Sequence, residues 1–459
     1  MENGEYLQET SEGTLPSAAP PLDSVQTITP SVIDLLSMTG MIAFEGVILG
    51  RYSSAALAGG GMGMQLLFFL FTLLLTLIAG AAIPISRFLG AGDREKADRL
   101  FAVAISTTLL LGIFFAVFSL VFQGFIFNTV FGAEGDVERA ATDYFSVVAL
   151  FMPMIALNFG GTGILRATGD TVASMTTNLI ANLINAGLAV ILVYGYSPLN
   201  IPSLGAAGAA LALGIAQTFG FIIQLRLILG GKTKITLHFR DIIKPRLSRL
   251  KRILKSGVPV TLEQFIWMSG QLIILAYITR LGIQELAAHQ IILRLTQTLG
   301  VVYQGYAFGN LALCGQKIGA GKEESAASLS RNIRYLSLIT GIAFAVIVYI
   351  FDENLVSLFS RDSEVFLSAL AVIPILALQQ IPKSQTMITA SELRARGDLM
   401  FIVKAAGICV VLFEVTLSYI AIFIFKWGLS AIWSFMVMDE LVRFVVHLLR
   451  LKRRIVIRV

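Results

Sequence analysis

Long apolar runs dominate the chain, separated by short polar stretches rich in Gly, Lys, Arg, Asp and Glu. A membrane-crossing helix needs about 20 apolar residues. Twelve runs meet that length, at residues 30–50, 58–82, 100–123, 141–162, 171–194, 206–229, 257–279, 290–313, 332–352, 364–386, 401–425 and 430–450. The pattern predicts an all-α polytopic membrane protein with twelve transmembrane helices. Composition agrees: 56% of the 459 residues are hydrophobic and 14% charged, against roughly 25% charged in soluble domains.

Charge placement sets a topology. Lys and Arg crowd the connections after even-numbered spans, as in Arg87, Arg94, Lys96 and Arg99, the stretch from Lys232 to Lys255, and Lys452, Arg453 and Arg454. Connections after odd-numbered spans hold Arg51, Arg139, Arg280, Arg361 and Lys426. The positive-inside rule then predicts that both termini are cytoplasmic. The net charge of +6 is therefore topological, and no nucleic-acid partner is expected. Residues 1–24 hold Glu2, Glu5, Glu9, Glu12 and Asp23 and no base. They read as a disordered cytoplasmic tail, not a signal peptide. Residues 230–256 read as a cytoplasmic linker, partly an interfacial amphipathic helix. It joins an N-terminal six-helix lobe, 25–229, to a C-terminal one, 257–459.

The two halves repeat. At a shift of 229 residues, Arg51, Leu57 and Ala58 fall on Arg280, Leu286 and Ala287, and "LGAGDREKADRL" (Leu89 to Leu100) falls on "IGAGKEESAASL" (Ile318 to Leu329). At 228, "LRATGD" (Leu165 to Asp170) meets "LRARGD" (Leu393 to Asp398). Six spans separate equivalent elements, so both halves have one membrane orientation. Parallel repeats of this kind occur in secondary transporters, with the substrate site between the halves. The Gly-Ala-Gly loops lack the Lys-Ser/Thr of a phosphate-binding loop. They read as tight turns in which Gly90, Gly92, Gly319 and Gly321 meet unusual dihedrals. No Ser-His pair or Asp-rich metal motif points to an enzyme. Cys314 and Cys409 form no CxxC, and three histidines are too few for a histidine-built metal centre, so no cofactor is expected.

Candidate chemistry lies in the acids buried by this pattern. Eleven residues at 100° each bring Asp34 and Glu45 within about 20° of one another on a helix. Met38 and Met41 fall on the same stripe. Met offers an adaptable surface to varied apolar partners, and a carboxylate in a low-dielectric cleft takes either a proton or a cation. The stripe predicts a substrate face for a lipophilic cation, formed by Asp34, Met38, Met41 and Glu45. Asp34 also suits the first helical turn, where an acid complements the helix dipole. Glu45, Glu263 and Glu414 lie deeper, and an intramembrane acid is a functional candidate by default. Asp439 and Arg443, spaced i and i+4, suit a pair. His289 suits a packing role.

These residues resemble the multidrug and toxic compound extrusion (MATE) family. The resemblance rests on "GRYSSAALA" (Gly50 to Ala58), "LRATGDT" (Leu165 to Thr171), "LGAAGAALA" (Leu204 to Ala212), "SGVPVTLEQ" (Ser256 to Gln264), "AAHQI" (Ala287 to Ile291), "GQKIGAGK" (Gly315 to Lys322) and "IWSFMVMDELVR" (Ile432 to Arg443). It implies two six-helix bundles around a central cleft. It also implies export of hydrophobic, often cationic compounds in exchange for H+ or Na+. The wider superfamily supplies an alternative, a flippase for a lipid-linked oligosaccharide, which needs a strongly cationic cleft. By the resemblance, Glu45 stands where an Asp precedes the "GR" motif, and Met38 where a Gln is common. Asn185 is retained in the fifth span, but Ala189 replaces the Asp four residues on. Leu213 stands where a Thr is frequent, and Glu414 and Thr416 where Arg and Pro are frequent. Glu45, Asn185, Glu263 and Glu414 are thus the candidates for ion or proton coupling. The expected partners are a small organic substrate and the lipid bilayer, the expected state a monomer, and the expected location the cell membrane, a bacterial inner membrane.

Overall fold

The computed structural model describes residues 22–237, 247–359 and 362–453. Most of the N-terminal tail expected at 1–24, and the stretch 238–246 of the expected linker, lie outside the described residues. Twelve long helices follow one another: α1 (Leu22–Tyr52), α2 (Ser54–Gly90), α3 (Arg94–Gly124), α4 (Gly135–Ala167), α5 (Thr171–Tyr194), α6 (Gly205–Leu229), α7 (Leu247–Ile278), α8 (Ile283–Gly319), α9 (Glu323–Ile350), α10 (Ser363–Ala395), α11 (from Leu399) and α12 (Leu429–Lys452). Helix α11 is α-helical to Cys409 and π-helical over Val410–Leu417 and Ile420–Ile424. Ten of the twelve are both long and apolar enough to cross a membrane alone. Helices α8 and α12 reach the length but carry polar side chains inward, among them Asn310, Asp439 and Arg443. The helix begins earlier than expected after the linker: residues 247–256 are the first turns of α7.

Each lobe has its own apolar core. One gathers Leu74, Phe115, Tyr144, Phe145 and Met152 of the first six helices. The other gathers Ile274, Ile292, Val372, Leu376 and Trp433 of the last six. A third cluster, including Ile28, Ala82 and Ala167 with Leu311, Ile318 and Ala395, belongs to both lobes and joins them.

The joining surface depends on glycine. A Cβ on Gly90 would lie 1.8 Å from the carbonyl oxygen of Gln316, and one on Gly319 would lie 2.0 Å from that of Arg87. Shifting Gly90 and Arg87 by 229 gives Gly319 and Gln316, so these contacts are mates across a pseudo-two-fold axis. A second pair follows the same rule: a Cβ on Gly80 would lie 3.0 Å from the Gly257 nitrogen and one on Gly309 2.7 Å from Ile28, and Gly80 with Gly309 and Ile28 with Gly257 are each 229 residues apart. Of the four loop glycines expected to hold unusual dihedrals, Gly92 and Gly321 do, with φ of 76° and 73°. Gly90 and Gly319 instead lie inside helix ends and serve close approach. Arg87 donates across the joint to the Ala395 carbonyl at 2.9 and 2.7 Å, and Gln316 donates to the Thr168 carbonyl at 2.7 Å. All these contacts lie at the end of the molecule that carries the basic loops.

The start of the linker is clipped to the first lobe. The Thr236 amide and hydroxyl donate to Asp98 at 2.7 and 2.6 Å, and the Lys234 amide donates to Asp170 at 2.8 Å. Burial of Asp170, in the loop between α4 and α5, outweighs this hydrogen bond and raises its carboxyl from 3.8 to about 6. The folded chain then binds a proton that the unfolded chain releases between those values, so stability falls as pH rises through that window. Asp170→Asn is expected to raise the thermal midpoint at pH 7, by about 2 kcal/mol in stability, and to leave it unchanged near pH 4. Gly90→Ala and Gly319→Ala are expected to force the lobes apart at the basic end. Spin labels at Glu95 and Glu323 would show this as a lengthened distance distribution, and an unchanged distribution would refute it.

Candidate functional site

The repeat places one acid–arginine pair in each lobe. In the first, Arg166 of α4 donates to Asp34 of α1 at 2.8 and 3.0 Å, and Ser174 and Asn178 of α5 donate to the same carboxylate at 2.7 and 2.8 Å. In the second, Arg394 of α10 grips both oxygens of Glu263 of α7 at 2.9 and 2.8 Å. A shift of 229 carries Asp34 to Glu263, and 228 carries Arg166 to Arg394. Each acid stands four residues after its helix's inner proline, Pro30 or Pro259. The pairs differ in environment. Asp34 is fully buried, whereas Arg394 and Glu263 keep 26% and 18% of their side chains exposed and line a cavity between the lobes.

This corrects the predicted substrate stripe at one position. Asp34 falls on the α1 face that the spacing gives it, but three donors from α4 and α5 fill its oxygens, and it lines neither cavity. The remaining members do come together. Met38, Met41 and Glu45 line a pocket of about 100 Å³ in the first lobe, with Met64 and Phe68 of α2 and Phe159 of α4. Glu45 is the one ionisable residue in its lining, and no Lys or Arg shares it. The amides of Asn158, Asn178, Asn182 and Gln217 and the Thr162 hydroxyl complete its polar part, Asn158 donating to Gln217 at 2.5 Å. Asn178 both lines this pocket and donates to Asp34.

Glu45 takes its hydrogen bond from the Tyr144 hydroxyl of α4, at 2.9 Å. Asn185, the other expected member of this cluster, is buried but is not in the pocket lining. Tyr144 is the partner that sequence reasoning missed, since nothing local marks a tyrosine 99 positions away inside an apolar run. Arg166 and Arg394 carried a usable mark, because the repeat that aligns their motifs also aligns the acids they bind.

The cavity between the lobes measures about 300 Å³ and is lined by apolar groups such as Leu75, Val260, Phe308 and Met387 around Glu263, Arg394, Glu440 and Arg443. Arg166 stacks on Phe308 of the other lobe, 5.3 Å from the ring centre. Glu414 is not in this lining. It lies behind it, buried between α7 and α12, and accepts from Gln271 at 3.1 Å. Asp439 and Arg443 form the expected ion pair, and His289 packs 5.6 Å from the ring of Trp433.

Two lobes of six helices, each with an acid–arginine pair at the same place in the repeat and facing each other across a polar-studded cavity, define a polytopic membrane transporter. The MatE family model matches residues 30–191 and again 259–420, two segments offset by the same 229 residues, and the chain belongs to the MatE family. It is 24% identical over 410 residues to the uncharacterized transporter YisQ of Bacillus subtilis (strain 168), covering 89% of each chain. It is 23% identical over 401 residues to the probable multidrug resistance protein NorM of Thermotoga maritima, covering 87% of this chain and 85% of that one. Among solved structures, a MOP superfamily transporter from Pyrococcus furiosus superposes with a TM-score of 0.85 at 21% identity, over 94% of this chain and 95% of that one. The same score is reached with an outward-facing multidrug resistance MATE family transporter, over 95% and 96%. The twelve-helix arrangement is therefore that of MATE transporters.

The two ion pairs are expected to differ in cost when broken. Arg166→Ala leaves the Asp34 carboxylate buried without its cation and should destabilise by about 3–5 kcal/mol. Arg394→Ala leaves Glu263 beside a cavity open to water and should cost less than half of that. Thermal unfolding of both variants in detergent measures the difference, and equal losses would contradict it.

Proposed function

We propose that the chain exports hydrophobic organic cations in exchange for H+, and that Glu45 is the residue that holds the proton and the cation in turn. The lining of the first-lobe pocket carries this reading. Three methionines and the rings of Phe68, Phe71 and Phe159 surround one carboxyl group and no fixed positive charge. Met and aromatic faces accept flat apolar cations of varied shape, and the single acid supplies the countercharge. A Na+ cage needs several oxygen ligands, and Ala189 removes the second acid that the family resemblance places there. Names such as the probable multidrug resistance protein NorM among the relatives support the same class of cargo. A flippase for a lipid-linked oligosaccharide would need free cations for its pyrophosphate. Arg394 is held by Glu263, and Arg443 by Asp439 and Glu440, which favours the organic cation.

Orientation follows from charge. With the basic connections and both termini cytoplasmic, the joint between the lobes falls on the cytoplasmic side, which supports an outward-facing state in this reading. One chain supplies both lobes, so the working unit is a monomer in a bacterial inner membrane.

In proteoliposomes, Glu45→Gln is expected to abolish dye export while the protein stays folded, and Glu45→Asp to retain part of it. Collapsing the pH gradient should stop export, and collapsing the Na+ gradient should not. Export by Glu45→Gln at the wild-type rate would overturn the proposal. A single cysteine at Lys232 labelled from the outside would overturn the orientation.

A further inference from the structure

We propose that Glu414 of α11 and Asp439 of α12 form a carboxyl dyad that holds one shared proton, and that this dyad is a second proton-exchange site, in the C-terminal lobe. Glu414 is 2% exposed and Asp439 0%, and the two carboxyl groups lie within hydrogen-bonding reach of each other. Asp439 Oδ2 is taken by Arg443. Asp439 Oδ1 is buried and, among the described residues, meets no donor. A proton on Glu414 supplies that donor. Two ionised carboxylates at this separation repel strongly in an interior, whereas one proton turns the contact into a charge-assisted O–H···O bond.

Charge balance gives the same count. The groups that face the pair are Gln271 from α7, Lys383 from α10, Cys409 of α11, and Glu440 and Arg443 of α12, with His447 next to Arg443. Three acids, Glu414, Asp439 and Glu440, gather around Arg443, which pairs with Asp439 and Glu440, so the cluster holds more acids than its arginine can match and at least one carboxyl takes a proton.

The backbone is shaped around Glu414. It sits within the π-helical stretch Val410–Leu417, and Thr416 donates its hydroxyl to the Val411 carbonyl five residues back, at 2.8 Å. Single π turns inside helices frequently mark functional sites. Opposite it, α7 has Gly270, where a Cβ would lie 3.2 Å from Glu414 Oε2 and 2.5 Å from Val410, so the glycine leaves the slot that the carboxyl fills. The 229-residue shift puts Glu414 on Asn185, so the acid that the first lobe carries on its first helix is carried here on the fifth helix of the second.

Glu440 and Arg443, on the same helix as Asp439, line the cavity between the lobes, which makes cavity water the proton source in this reading. A proton delivered from cavity water forms an O–H bond on Glu414 and leaves by the reverse path, with no change of oxidation state.

The exchange role rests on the exporter reading, but the shared proton does not, and the two are tested apart. Infrared difference spectra of the purified full-length protein, taken across a pH titration, should show two protonated buried carboxyl bands, one from Glu45 and one from the dyad. Glu414→Gln and Asp439→Asn should each remove the dyad band, Glu414→Asp should keep it shifted, and Glu45→Gln should remove only the other. Unaltered bands in Glu414→Gln would overturn the dyad, as would a dyad band erased by Na+ at constant pH, which would make it a sodium site. In proteoliposomes reporting internal pH, Glu414→Gln should lose at least tenfold in cation-driven proton movement, with partial recovery in Glu414→Asp. Wild-type proton movement in Glu414→Gln would leave a stored proton with no exchange role and would overturn that part. If no organic cation moves even in the wild type, the exporter reading fails while the spectra still decide the dyad.

Discussion

A carboxylate carried into the bilayer interior must be met by another group, because neither lipid nor water will meet it there. That constraint organises both lobes. Lipid tails give helices little reason to associate, so polar links between helices carry unusual weight. Asp34 ties α1 to α4 and α5, Glu263 ties α7 to α10, and Asp398, just before α11, ties its loop to Arg450 of α12 at 2.6 Å. The apolar clusters then fill the space that these links define. Paired charges also account for the two helices that are less apolar than the rest: α12 keeps Asp439 and Arg443 buried against each other, and α8 buries Asn310.

The repeat holds the skeleton symmetric and lets the chemistry diverge. In the first lobe the acid–arginine pair is sealed, and a separate acid, Glu45, faces a Met- and Phe-lined pocket. In the second lobe the equivalent pair faces the cavity between the lobes, and Ile274 occupies the position that corresponds to Glu45. One lobe thus presents an apolar, singly charged surface, and the other a dense set of compensated charges.

Much of this was legible in the residues. Each apolar run corresponds to one helix, because a bilayer imposes length and polarity together. The helix ends were less legible. The run read at 58–82 belongs to a helix reaching Gly90, whose last turns hold Pro84, Ser86 and Arg87. Those residues look like a loop to a hydropathy reading and are in fact the joint between the lobes. At the site, spacing alone put Met38, Met41 and Glu45 on one face. It did not reveal the arginine of Asp34, 132 positions away, or the tyrosine of Glu45, 99 positions away. Local periodicity carries no information about such partners. The internal repeat does, and applying it to the two acids as well as to the loops identifies Glu263 and Arg394 as the mates of Asp34 and Arg166.

The tightest contacts between α2 and α8, at Gly90 and Gly319, are glycine against bare backbone. Glycine against carbonyl has no side chain to stretch or repack as the helices separate, and dispersion forces fade within about an ångström. Such a contact is either made or lost, without a graded series of half-open forms. Opening therefore resembles a snap fastener more than a hinge with friction. Two states that differ by only a few kcal/mol are separable by any ligand that binds one of them better, and the two mated fasteners are related by the pseudo-axis.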